Sequence, residues 1–192
     1  MYRLDYQYTH DIDWFCCVNG CPVHIASNGG HLPADSYTID ELASLQHQVA
    51  NIKPTFQYEV NSAYLDEYLK NGGFYTNIDN ISPDEFRLML PEGIEIGVQS
   101  KSLSRQVLLY SWSFIEMAKR GFFSFDRKET HGREDIYHLV AWPKDYYVGY
   151  TDNKVLSSLI NYHACCFPPS HDKYESDLPN YIKFDVDSCR IM

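Results

Sequence analysis

The sequence lacks most of the signals that assign a protein to a membrane, secreted or repeat class. It has no run of about 18 apolar residues, so no segment is expected to span a membrane. The N-terminal stretch MYRLDYQYTHDID has no apolar core of a secretory signal, which predicts a soluble cytoplasmic protein with reduced cysteines. Internal repeats and linkers are also missing, so residues 1–192 are expected to form a single globular domain.

Positive charge is also scarce in this chain. It has 16 lysine and arginine residues against 26 aspartate and glutamate residues, and its formal net charge is −10. Nucleic acid phosphates and anionic lipids are bound by cationic surfaces, so both are disfavoured as partners. The acidic residues are scattered rather than gathered in a run, so the chain gives little support for an acidic tail or a nucleic acid mimic.

Catalytic and nucleotide-binding signatures are missing as well. The chain has no Walker loop, no Gly-x-Gly-x-x-Gly fingerprint and no nucleophile elbow. The stretch 28–30, Asn-Gly-Gly, is interpreted as a plain turn, because the helix that would help it hold an anion starts several residues later. We therefore expect no bound cofactor, and the sequence leaves open whether the protein is an enzyme.

The chain does contain a long apolar helical pattern, from Leu103 to Arg120. Ser102 is predicted to cap the start of this helix, and Gly121 is predicted to follow its end in a left-handed conformation. The stretches 122–126 and 135–142 are each typical of a strand. A β-hairpin packed against the long helix is the simplest interpretation of this region.

Turn and capping signals divide the rest of the chain into short elements. Asn19-Gly20 predicts a β-hairpin between two apolar runs, and capping boxes predict helices that start after Thr38 and Ser82. Further strands are predicted at 56–60, 92–100 and 181–186, and further helices after Asn61 and after Thr151 or Asp152. The sequence thus predicts an α+β fold with a mixed or antiparallel sheet of short strands and hairpins. About four or five helices should pack on this sheet, the longest near 103–120.

A zinc site was considered because the chain has six cysteines. Cys17 and Cys21 have the spacing of a zinc-binding pair, and His163 and Cys165 lie together in the C-terminal part. Free cysteine more often behaves as a small buried apolar residue, so we predict no bound metal. These four residues are the candidate ligands if that prediction is wrong.

Two places are candidates for a catalytic site. In the first, His24 lies on a predicted strand that runs into a glycine turn ending at His31. In the second, Asp126 and Arg127 face His138 across the predicted central hairpin, where an acid, a base and an imidazole could converge. The competing interpretation of the second place is a surface ion pair with a histidine at the sheet edge.

Tyrosine is unusually common, with 16 residues, and its apolar ring and polar tip suit half-buried positions and interfaces. We expect a non-enzymatic binding or interaction domain with a tyrosine-rich surface, whose partner is an unidentified protein or small molecule. The alternative is a small hydrolase or transferase that uses histidine with cysteine or an acid, near the 24–31 turn or the 126–138 hairpin. The sequence does not indicate an oligomeric state.

Overall fold

The computed structural model describes residues 10–18, 21–29, 38–72, 77–91, 103–127 and 136–144, and the strand backbones at 164–165, 181–185 and 190–191. The strands are β1 Asp13–Val18, β2 Cys21–Ala26, β3 Tyr58–Val60, β4 Phe123–Arg127, β5 Ile136–Pro143, β6 Ala164–Cys165, β7 Tyr181–Asp185 and β8 Arg190–Ile191. The helices are α1 Ile39–Ala50, α2 Ser62–Asn71, α3 Pro83–Met89 and α4 Arg105–Lys119, with a 3-10 helix at Ile78–Asn80. This architecture confirms the predicted α+β class.

The strands form a mixed sheet in the order β6-β1-β2-β4-β5-β7-β8, and β3 also pairs with β5. The pairs β1–β2 and β4–β5 are antiparallel hairpins, as predicted, whereas β2 and β4 are parallel. The parallel pair joins the two hairpins although about 100 residues separate them in the chain. As a result, the C-terminal ends of β2 and β4 meet at one end of the sheet.

The first hairpin has the register that a two-residue turn requires. Val18 lies opposite Cys21, and the predicted turn at 19–20 lies outside the described residues. Pro22 lies opposite Cys17, and the pairing of β2 with β4 begins only at Val23. A proline has no N–H to donate, and here it lies just before the ladder that would need one.

Helix α4 starts two residues later than its sequence pattern predicts. Its N-cap is Ser104, whose hydroxyl accepts from the backbone N–H of Val107 at 3.3 Å and donates to Asp66 at 2.6 Å. Ser102 is therefore not the cap, because Leu103 packs against the apolar core instead of beginning the helix. Gly121 has a φ of 99°, which confirms the predicted left-handed position after the helix.

The other helix starts agree more closely with their sequence signals. Both predicted capping boxes are present, at the starts of α1 and α3, with the glutamate three residues after the cap bonded back to it. Asn61 occupies the N-cap position of α2, but its side-chain amide donates to the carbonyl of Leu139 at 3.1 Å instead of capping the helix. The strand predicted at 92–100 and the helix after Thr151 or Asp152 lie outside the described residues.

A hydrophobic core covers each side of the sheet. On one side, α1 contributes Leu42 and Val49 to a cluster with the side chains of β1, β2, β4 and β5. On the other side, α2, α3 and α4 pack together, and Phe114 lies in the part contributed by α4. Since burying one large apolar side chain is worth roughly 1.5–3 kcal/mol, α4 anchors this second side. Polar side chains of the sheet are enclosed beneath it.

Candidate functional site

The parallel pairing of β2 and β4 brings the two candidate places together. His24 lies opposite Ser124, and Ala26 lies opposite Asp126, which in turn lies opposite His138 on β5. Residues two apart on a strand share a face, so Ser124 and Asp126 point to the same side of the sheet. The predicted turn site and the predicted hairpin site are therefore parts of one polar region under α4.

The centre of this region is the hydroxyl group of Tyr110, which α4 places over β4 and β5. This hydroxyl donates a hydrogen bond to the Asp126 carboxylate, and its oxygen lies 2.9 Å from Nε2 of His138. Asp126 is 8% exposed and His138 is 0% exposed. A carboxyl, a phenol and an imidazole are thus connected in a nearly water-free environment. We call Tyr110, Asp126 and His138 the central triad.

Asp126 holds its proton far more tightly than an ordinary aspartate. Burial, reinforced by the negative charge of Asp11, raises its pKa from 3.8 to about 7. Three effects lower this pKa without cancelling the increase. They are the hydrogen bond from Tyr110, the hydrogen bond from the backbone N–H of Arg127 and the charge of His24. Burial next to Asp126 also raises the pKa of Tyr110, so the phenol stays protonated. Asp126 is consequently a group that exchanges a proton near neutral pH.

Two half-buried tyrosines of α2 lie against the imidazole of the central triad. The ring centroid of Tyr68 is 4.7 Å from that of His138, and the ring centroid of Tyr64 is 5.5 Å from it. The two tyrosine rings are stacked on each other at 6.0 Å. The hydroxyl of Tyr64 is buried and has no hydrogen-bond partner among the described residues, and burial raises its pKa. These rings cover the triad on its α2 side.

His24 is part of a second polar network, beside the central triad. Its Nδ1 lies 2.6 Å from Oγ of Ser124, and its Nε2 lies 3.1 Å from Oδ1 of Asp13. Burial opposes the ionisation of Asp13, but its contact with His24 outweighs this and holds the pKa of Asp13 below its usual value. The order serine, histidine, aspartate is that of a hydrolase triad, but Ser124 is 0% exposed. A nucleophile must contact the substrate itself, whereas a general acid or base can act through one water. The fully buried Ser124 hydroxyl is therefore not a candidate nucleophile, and this network fixes the strands.

The turn after β2 closes the end of the sheet. Ile12 and Ser27 exchange two hydrogen bonds there, one between the backbones at 3.3 Å and one from the Ile12 N–H to the Ser27 hydroxyl at 2.8 Å. The next N–H, from Asn28, donates to the carboxylate of Asp11 at 2.7 Å. Asn28 has a φ of 43°, which an asparagine tolerates better than most residues. The turn therefore fixes Asp11 at the same end of the sheet as Asp126.

The structure separates the sequence-predicted candidates into distinct groups. His24, Asp126 and His138 come together under α4, as described above. Arg127 is also buried, at 4% exposed, but strand alternation puts its side chain on the other face, and it lies opposite Tyr137. The interpretation of this place as a surface ion pair with an edge histidine is wrong, because these residues are buried and β5 has neighbours on both edges. His31 lies outside the described residues.

The candidate metal ligands have a different outcome. Cys21 is buried, and so is Cys16. The backbone register places Cys17 opposite Ala164 and Val18 opposite Cys165, so two candidates far apart in sequence lie on neighbouring strands. His163 is outside the described residues. Within the described part of the chain, no group of three histidine, cysteine or acidic side chains is arranged to hold a metal ion.

Sequence reasoning missed several residues of the site. In the sequence, Tyr110 lies on the flank of the apolar helical pattern 103–120, and Ser124 is one residue of an aromatic strand pattern. A signal did exist for Ser124, because it is the lone hydroxyl at the centre of FFSFD, a stretch that is otherwise apolar up to its final aspartate. Asp13 and Asp11 carried no signal, since their roles depend on how β1 pairs with β2. Only the tertiary structure assembles this set.

No protein-family model, curated protein or solved structure matches the chain. In the described ranges, no helix is both long enough and apolar enough to cross a lipid bilayer. The function must therefore be argued from the geometry of the polar region itself.

Proposed function

We propose that the protein is a small hydrolase or transferase that performs general acid–base catalysis with the central triad, at the end of the sheet where β2 and β4 finish. The observation that supports this proposal is the Tyr110 hydroxyl held between the buried Asp126 carboxyl and the His138 imidazole. Ligand sites commonly lie at the C-terminal ends of parallel strands. A titratable group with a strongly perturbed pKa in such a place is typical of an acid–base catalyst.

The triad can pass a proton between its two ends. When Asp126 is ionised, Tyr110 donates to it, and Nε2 of His138 donates to Tyr110 if that nitrogen carries the proton. When Asp126 is protonated and Nε2 of His138 carries no proton, both hydrogen bonds reverse, so that the acid donates to Tyr110 and Tyr110 donates to His138. Protonation of the Asp126 carboxyl is therefore coupled to the direction of the hydrogen bond at the His138 imidazole. A pKa of about 7 for Asp126 matches the optimum of a group that gives and takes protons near neutral pH.

Binding without chemistry is the second candidate function, and the stacked pair of Tyr64 and Tyr68 supports it. Each side chain is half-buried, so part of its surface stays open to a ligand, and aromatic rings are good contact surfaces. The described tyrosines do not include an exposed one, which weakens the idea of a flat tyrosine-rich patch and favours a partly enclosed small molecule. Both candidate functions place the ligand near Tyr68.

The test is turnover of a panel of chromogenic carboxylic esters, phosphate esters and glycosides, with Asp126→Asn and Tyr110→Phe compared to the native protein. We expect at least one substrate to be turned over, with a rate that changes near pH 7. Each substitution should lower that rate by at least about 100-fold, the usual contribution of a positioned acid or base. Asp79→Asn, on an exposed aspartate of the 3-10 helix, is the matched control and should keep full activity.

Two results would contradict the catalytic proposal. One is turnover that Asp126→Asn leaves within a few-fold of the native rate while the variant remains folded by circular dichroism. The other is a complete lack of turnover together with saturable binding of a panel compound that Tyr68→Leu abolishes. The second result would establish the binding function in place of the catalytic one.

A further inference from the structure

We propose that the substrate of this site is an uncharged ring compound with hydroxyl groups, a glycoside, and that the buried hydroxyl of Tyr64 hydrogen-bonds to it. This inference rests on the proposed function, since it names the substrate class and a substrate-binding residue of the same site. Tyr64 is on α2, one helical turn before Tyr68, and it lies against His138 of the central triad.

Helix α2 positions Tyr64 through the residues that the helix buries. Leu65 and Leu69 are fully buried in the core on the α4 side of the sheet. Tyr64 and Tyr68, each one residue earlier, pack against that core and remain half-buried. Their ring centroids are 6.0 Å apart with planes inclined by 7°, and the Tyr64 ring is 5.5 Å from the His138 imidazole. Ring contacts, rather than its hydroxyl, therefore hold Tyr64 beside the triad.

The hydroxyl of Tyr64 contributes no hydrogen bond to this packing. It is buried and has no hydrogen-bond partner among the described residues. The hydroxyl of Tyr110, by contrast, contacts both Asp126 and His138. Burying a hydroxyl without a partner costs free energy, and buried tyrosine hydroxyls usually find one. Phenylalanine would make the same ring contacts without that cost, so a partner supplied by the substrate explains why a hydroxyl is present here.

The Tyr64 hydroxyl is suited to an uncharged partner. Burial raises its pKa, so the phenol stays neutral, and a neutral phenol both donates and accepts hydrogen bonds. A sugar hydroxyl has the same two roles. The stacked rings of Tyr64 and Tyr68 add an apolar contact surface, on which the C–H groups of a sugar ring can pack. Aromatic walls with a few placed polar groups are the usual composition of a small-molecule site.

The charges at this end of the sheet disfavour an anionic substrate. Asp13 on β1 and Asp126 on β4 flank β2 in register, and the turn after β2 holds Asp11 at the same end. The buried Arg127 has its side chain on the other face, and a protonated His24 would offset the charge of Asp13, which it contacts. Like charges repel strongly where water is excluded, so a phosphate ester or a carboxylate should bind poorly.

The test is binding to the full chain, measured by isothermal titration calorimetry. The probes are a panel of 4-nitrophenyl 1-thioglycosides, which are uncharged and resist hydrolysis. The comparison compounds are 4-nitrobenzylphosphonate, which is an anion, and 4-nitroanisole, which has no hydroxyl group. We expect at least one thioglycoside to bind saturably and more tightly than both comparison compounds, since a site built to bond a hydroxyl rejects analogues that lack it.

Tyr64→Phe should weaken the binding of that thioglycoside by about fivefold, which is what one hydrogen bond between neutral groups is worth. The affinity for 4-nitroanisole should not differ between Tyr64→Phe and the native protein. Tyr58→Phe, on another half-buried tyrosine, is the matched control. Tyr58 lies opposite Pro143, five residues along β5 from His138, so this variant should keep the native affinity.

The proposal is overturned if no thioglycoside binds saturably, or if the phosphonate binds more tightly than every thioglycoside. It is also overturned if Tyr64→Phe binds within about twofold of the native affinity. In urea unfolding, Tyr64→Phe should be at least as stable as the native protein. A lower unfolding midpoint would show that the hydroxyl already has a partner within the protein, which contradicts the proposal as well.

The catalytic proposal and the glycoside proposal fail separately. Thioglycoside binding that Tyr64→Phe weakens, without turnover of any ester or glycoside, supports the second and contradicts the first. Ester turnover that Asp126→Asn abolishes, without thioglycoside binding, supports the first and contradicts the second.

Discussion

The free energy of unfolding of Asp126→Asn should rise relative to that of the native protein as the pH increases. The native carboxyl has a pKa of about 7 when folded and an ordinary value near 3.8 when unfolded. The folded state therefore binds more protons than the unfolded state between these values, and the free energy of unfolding falls as the pH rises through them. Asparagine resembles the protonated acid in shape but does not titrate, so the variant escapes this loss.

The size of the effect follows from the linkage between protonation and folding. A tenfold change in proton affinity is worth about 1.4 kcal/mol, so the whole loss is about 4 kcal/mol above pH 7. A part of it, somewhat under half, has already occurred at about pH 5, which leaves about 2–3 kcal/mol to be lost between about pH 5 and about pH 8. The variant should gain that amount relative to the native chain over this interval.

Urea unfolding of both proteins at these two pH values measures the difference directly. Titratable groups that do not interact with Asp126 behave alike in the two proteins, so their contributions cancel in the comparison. Asp79→Asn should show no such pH-dependent gain, since its carboxylate is exposed. The stability difference between Asp126→Asn and the native protein could change by less than about 1 kcal/mol between the two pH values. In that case the Asp126 carboxyl is not held in its protonated form, and the protonation inferred for the central triad is wrong.

Three further predictions test the fold by urea unfolding. Phe114→Ala should cost about 3–5 kcal/mol because it opens a cavity under α4, and a cost below about 1 kcal/mol would contradict the central position of this helix. Ser104→Ala should cost about 1 kcal/mol through the lost cap, whereas Ser102→Ala should cost much less if Ser104 is the cap. Gly121→Ala should cost about 1–2 kcal/mol, since its φ of 99° crowds a Cβ, and a neutral effect would argue against the left-handed turn after α4.

The parts of the fold that sequence predicts well are those with a local physical signal. Both capping boxes, the glycine after α4 and the register of the first hairpin follow from residues a few positions apart. The start of α4 was misplaced by two residues because Ser102 and Ser104 are chemically equal as caps. Choosing between them depends on Leu103, and its contact with the core is a tertiary feature.

The candidate site could be predicted only in fragments. His24 could be predicted as a candidate because its strand runs into a glycine turn, and Asp126 and His138 because they lie on facing strands of the predicted central hairpin. That they belong together depends on the parallel pairing of β2 with β4, which leaves no short-range pattern in the sequence. Tyr110 contacts Asp126 and His138 only because α4 packs against the sheet. A residue on the flank of a helix is thereby the centre of a hydrogen-bonded network.

The distribution of polar groups over the sheet is consistent with the proposed catalytic site. Apart from the buried Arg127, the core on the α1 side is built from apolar and aromatic side chains, whereas the α4 side encloses His24, Ser124, Asp126 and His138. Burying a titratable carboxyl costs stability near neutral pH, and apolar residues of similar volume would commonly serve the fold as well or better. A structural network could also use neutral amides, which carry no such cost. Titratable groups gathered at the end where β2 and β4 finish are what proton transfer to a bound molecule requires.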